Sequence, residues 1–128
     1  MEYGGTRATD AVMADLDADV VGVLESYNRL PEIAKRAGYP YYDVGLQILS
    51  KYPIHEPSGA EGRYALIEVR TGEVVAFFNI HLDYVKYGPK LLRNGQPVKD
   101  VLASEDEVRT SALDEPLRLM DGLIAQGY

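Results

Sequence analysis

The sequence predicts an α/β (α+β) domain, with one mixed β-sheet and flanking helices. Three observations carry that class. Short apolar runs rich in β-branched residues, Val20–Leu24 and Leu46–Ser50, read as buried strands. Tyr64–Arg70 and Glu73–Ile80 flank Thr71-Gly72 and read as a β-hairpin. Stretches with helical spacing lie before, between and after these strands.

Taken in order, Gly4-Gly5-Thr6 is a loop ending in an N-cap. Ala8, Ala11, Val12 and Leu16 then mark one face of a helix over residues 7–17. Asp17-Ala18-Asp19 turns the chain into strand Val20–Glu25, apolar on both faces up to its last residue. Pro31 and Gly38 frame a short helix, Pro31–Ala37. Tyr39-Pro40-Tyr41-Tyr42 is an extended aromatic link, more suited to packing than to base stacking because no basic residues interleave it. Strand Leu46–Ser50 stops at Pro53, and His55 to Gly62 is a turn-rich loop in which His55 is a surface residue. Tyr84 to Val101 reads as a long connection holding the basic cluster Lys86, Lys90, Arg93 and Lys99. Ser104-x-x-Glu107 has the form of a capping box for a last helix. That helix runs toward Gln126, with Pro116 kinking or dividing it near Asp114 and Gly127 closing it.

The chain has 128 residues, room for one domain, and no cysteine. Disulfides, thiolate metal sites and cysteine nucleophiles are therefore excluded. The net charge of −7 argues against a broad grip on nucleic acid backbones. No apolar run approaches the roughly 20 residues of a membrane helix. Met1-Glu2-Tyr3-Gly4-Gly5 has neither a basic nor an apolar region, so the expected location is cytoplasmic.

The richest stretch for chemistry is Val74-Val75-Ala76-Phe77-Phe78-Asn79-Ile80-His81-Leu82-Asp83. It starts as a buried strand and ends with Asn79, His81 and Asp83 on alternate residues. A strand persisting that far points all three to one face. This pattern resembles the "NTHLD" strand of the endonuclease/exonuclease/phosphatase superfamily of metal-dependent phosphoesterases. Asp19-Val20-Val21-Gly22-Val23-Leu24-Glu25 is similar to its "DVVGLQE" strand. Gly45-Leu46-Gln47-Ile48-Leu49-Ser50-Lys51-Tyr52-Pro53-Ile54 is similar to its "GxAILSRYPI" strand.

The resemblance implies that residues 1–128 are the N-terminal half of such a domain, one half of a four-layer α/β sandwich. It implies a phosphodiesterase-type hydrolase acting on a phosphate ester, with magnesium, or manganese in its place, as cofactor. Glu25 would hold the metal and His81 would hydrogen-bond the scissile phosphate. Asn79 and Asp83 would hold the imidazole and the neighbouring loop. Lys51 stands where the family has Arg, and the plain reading is a solvated strand-end Lys. Arg109, or in its place Arg118, would match a helix Arg with a structural role. The family's Gly-Asp-x-Asn and Ser-Asp-His segments occur nowhere in the 128 residues. The alternative is therefore an inert, truncated fold serving as a binding or assembly module. Either way a lone sheet half exposes an apolar face, so a second copy or a partner chain is expected to cover it.

Overall fold

The computed structural model describes residues 7–82 and 87–128. Their contacts gather into two compact units, residues 1–80 with Tyr128, and residues 81–127.

The first unit is α+β, as the sequence indicates. It opens with α1 (Arg7–Leu16), β1 (Val20–Gly22) and α2 (Leu30–Ala37). Pro31 lies in the first turn of α2, and Gly38 closes it at φ +81°, where the absent Cβ removes the left-handed penalty. β2 (Tyr41–Asp43), β3 (Ile48–Ser50), β4 (Ile54–His55), β5 (Tyr64–Arg70) and β6 (Glu73–Phe78) follow.

These strands do not form one mixed sheet. They form two antiparallel sheets of three strands, ordered β1-β3-β2 and β4-β5-β6. The reason lies between β3 and β4. Pro53 cannot donate to a ladder, and after it the chain starts a new sheet. The link at Tyr41–Asp43 and the loop at Ile54–His55 each supply a short strand that propensity alone does not reveal.

Side-chain alternation divides the core into two layers. Val21 and Leu49 face α1 and α2, packing with Met13, Val23, Leu30, Ile33, Ala34 and Tyr39. Val20 and Ile48 face the other way, against Ala65, Ile67, Val69, Val75 and Phe77 of the second sheet. The first sheet thus has cover on both faces from its own chain. On the opposite face of the hairpin, buried Tyr64 and half-buried Phe78 pair with stacked rings 5.0 Å apart.

Lys51 is more than a solvated charge. Its Nζ donates to the Asp17 carbonyl at 2.7 Å and Asp17 Oδ1 at 2.6 Å, and lies 3.4 Å from Asp19 Oδ1. This clasps the end of β3 to the turn between α1 and β1. The hydrogen bond from Lys51 holds the Asp17 carboxyl below its usual range, and the same bond raises the ammonium. Beside it, Tyr39 donates its hydroxyl to the Ala18 carbonyl at 2.9 Å. Burial pushes that phenol up. In α1, Asp10 is 4% exposed and meets Arg36 at 3.2 Å through Oδ2, while Oδ1 has no hydrogen-bond partner among the described residues.

In the second unit, much of the expected long connection is helical: α3 (Gly88–Arg93) and then α4 (Val98–Ala125). Pro89 sits in the first turn of α3, a position that does not use its missing N–H. α4 begins six residues before Ser104, so the capping-box pattern lies inside the helix. Glu105 instead accepts the Gly88 N–H at 2.7 Å and holds Arg109 at 2.9 Å. Pro116 does not divide α4, which runs through it for 28 residues. Gly127, at φ +95°, follows the helix end as expected. No helix among the described residues is long and apolar enough to cross a membrane.

Candidate functional site

The site is built where β1 leaves its sheet. Pairing of β1 with β3 ends at Gly22 and Ile48. Glu25 was expected to end the β1 strand; it lies three residues beyond it, on a loop. The backbone there is left-handed at Glu25 (φ +58°), Tyr27 (+47°) and Asn28 (+66°). Such angles are uncommon for residues other than glycine, and for a tyrosine they mark strain held by the surroundings.

Hydrogen bonds supply that hold. Val23 N–H donates to the Gln47 carbonyl at 2.8 Å. Ser26, 1% exposed, donates its hydroxyl to Gln47 Oε1. Gln47 is itself left-handed (φ +55°), and its amide Nε2 donates to the Val44 carbonyl at 2.6 Å. Arg29 N–H returns to the Ser26 carbonyl at 2.9 Å, closing the loop before α2.

Asn79 ties this loop to the second sheet. Its side-chain Nδ2 lies 3.2 Å from the Val23 carbonyl, 3.0 Å from that of Leu46 and 3.0 Å from that of Gln47. Two N–H groups thus serve three acceptors. The amide packs directly on Gly22, where an added Cβ would come within 2.6 Å of Asn79 Oδ1. The three segments that carry the sequence resemblance therefore converge on one side chain.

β6 stops at Phe78, opposite Tyr64, so the strand does not persist to His81. The expected alternation of Asn79, His81 and Asp83 on one strand face is not formed, because the Asn79 amide turns to the backbone of another sheet. His81 is exposed and opens the second unit, whereas Glu25 is half-buried in the first. Asp83 lies outside the described residues. His55 is exposed on β4.

Among the described residues no three His, Asp or Glu side chains converge as a metal cage. The carboxylate the loop presents is that of Glu25. Sequence reasoning overlooked Gly22, Ser26 and Gln47. A glycine inside a strand signals close approach of another group, and Gly22 carries that signal. Nothing in the sequence marks Gln47.

No family model, no curated protein and no solved structure matches this chain.

Proposed function

We propose that this chain contributes the metal- and phosphate-binding side of a magnesium-dependent phosphoesterase. One observation supports the reading above others: Asn79 draws together residues 19–25, 45–54 and 74–79, the three stretches that resemble the superfamily's strands. Strained backbone at Glu25, Tyr27, Asn28 and Gln47 is also the kind that clusters at functional loops.

A lone carboxylate suits magnesium, or manganese, better than zinc. Magnesium keeps several waters and takes one or two carboxylates plus phosphate oxygens. Glu25 would be that ligand, and the bound ion supplies charge neutralisation at the phosphate. The resemblance gives His81 the role of donating a hydrogen bond to a phosphate oxygen, a contact that would strengthen as charge develops there. Asn79 orients the loop that carries Glu25. The Asp that deprotonates the attacking water belongs, in this reading, to residues other than these 128. The net charge of −7 favours a small phosphodiester over bulk nucleic acid.

The test is calorimetric titration of magnesium into wild type and Glu25→Gln, with circular dichroism to check folding. The expected result is magnesium affinity at least tenfold weaker in a folded variant, an effect on the order of 1.4 kcal/mol. Equal affinity removes Glu25 from the metal role. Hydrolysis of bis-p-nitrophenyl phosphate that needs magnesium, and that Glu25→Ala and His81→Ala each abolish, is the catalytic arm.

A second reading, an assembly module, has its own observation. Val98, Leu102, Leu117 and Ile124 of α4 are all more than half exposed. At 100° per residue they share an arc of roughly 100°, two apolar patches parted by Asp106 and Arg109 and open to a second copy. A stable dimer by light scattering, with no turnover, favours this reading over the first.

A further inference from the structure

The second unit carries a hollow of about 340 Å³ lined by Tyr87, Pro89, Lys90 and Arg93. Lys90 and Arg93 are three residues apart on α3, so they share a side of the helix. The lining holds two cations and no anion, in a chain whose net charge is −7.

Among the described residues, five cations elsewhere are engaged. Arg29 and Arg36 meet Glu32, Arg36 also meets Asp10, Lys51 meets Asp17, Arg70 meets Glu73 and Arg109 meets Glu105. Neither Lys90 nor Arg93 holds a carboxylate among the described residues. Glu105, which bonds the first residue of α3, is occupied by the Gly88 N–H and by Arg109. Two unneutralised cations therefore face an open hollow. Beside them Tyr87, 56% exposed, presents an aromatic ring, and Pro89 supplies an apolar wall.

We propose that this hollow binds a mononucleotide, with its phosphate on Lys90 and Arg93 and its base against Tyr87. The guanidinium fork matches phosphate oxygens in pairs, and lysine adds a mobile point charge. A planar base gains from the exposed ring what a bare phosphate cannot. The volume is at the small end of the roughly 300–1,000 Å³ of ligand pockets, room for one ring and its phosphate. A polymer is disfavoured because the net charge of −7 repels its further phosphates. All four residues lie in the second unit and none belongs to the Glu25–Asn79 site, so the proposal does not depend on the phosphoesterase reading.

The experiment is titration of the full chain, in EDTA, with adenosine monophosphate, adenosine and inorganic phosphate, followed by amide NMR shifts. Adenosine monophosphate is expected to bind about tenfold or more tighter than either fragment. Shifts should centre on residues 87–93, and affinity should fall between 50 and 200 mM salt, as charge pairing requires. Lys90→Gln/Arg93→Gln should weaken binding at least tenfold, Tyr87→Leu several-fold, and Glu25→Gln not at all. Phosphate binding as tightly as the nucleotide, shifts centred elsewhere, or no saturable binding each overturns the proposal. If the double variant loses helix, the competition among the three probes on wild type still decides.

Discussion

Replacing Asn79 with Ala tests the central tie of the first unit. The Gln47 carbonyl keeps the Val23 N–H at 2.8 Å, but the carbonyls of Val23 and Leu46 lose this donor. Val23 is 2% exposed and Leu46 4%, so water does not readily take the place of the amide. A buried acceptor deprived of its partner costs about 1–3 kcal/mol, which places the pair at about 2–6 kcal/mol. With a urea slope of about 2 kcal/mol per molar, the unfolding midpoint falls by roughly 1–3 M. Asn79→Asp should be at least as damaging at neutral pH, since it turns carboxylate oxygens toward three carbonyls. Amide exchange at residues 23–28 should quicken in both variants, reporting local opening of the Glu25 loop. A midpoint within about 0.2 M of wild type for Asn79→Ala would refute the reasoning, since it corresponds to under about 0.5 kcal/mol.

Three further outcomes follow from the same geometry. Gly22→Ala drives a methyl to 2.6 Å from Asn79 Oδ1 and should cost about 1–3 kcal/mol. In an Asn79→Ala background the same change should cost clearly less, and a double-mutant cycle by urea unfolding reads the coupling. Arg36→Ala strands the buried Asp10 carboxylate. The loss should be about 2 kcal/mol, below the ~3–5 of fully buried pairs because Arg36 is 38% exposed and partly screened. Thermal unfolding that is unchanged counts against that account. Lys51→Met should alter the pH dependence. The lowered Asp17 carboxyl contributes stability above its unfolded value near ~3.9, lost as the pH falls through the folded one. The raised Lys51 contributes below ~10.4 and is lost as the pH rises through its folded value. The gap between wild type and variant should therefore be smaller at pH 2 than at pH 7, and an equal gap contradicts the ion pair.

Local signals revealed those elements whose cause is local. α1, α2 and the β5–β6 hairpin show in apolar spacing, in Pro31 and Gly38, and in the Thr71-Gly72 turn. Tertiary contacts decided the remainder. β1 is cut short because its partner strand gives way at Gln47, whose backbone is left-handed, a conformation that a glutamine does not advertise. Two-residue β4 exists only because Ile54 and His55 pair with β5. Ser104 looks like a cap, but α4 already runs from Val98, and Glu105 is drawn to the start of α3. Within the site, Glu25 and Asn79 stand out by motif. The Asn79 amide reaching carbonyls 32 to 56 positions away in the chain cannot be seen in any window of sequence.

That long reach has a consequence for biosynthesis. Val23 is made 56 residues before the side chain that secures its carbonyl. At 5–20 residues per second, roughly 3 to 11 seconds separate the two on the ribosome. During that interval the three carbonyls lack the amide that later ties them. The tie across the carbonyls of Val23, Leu46 and Gln47 is thus a late event, closed only when Asn79 has been added and has emerged.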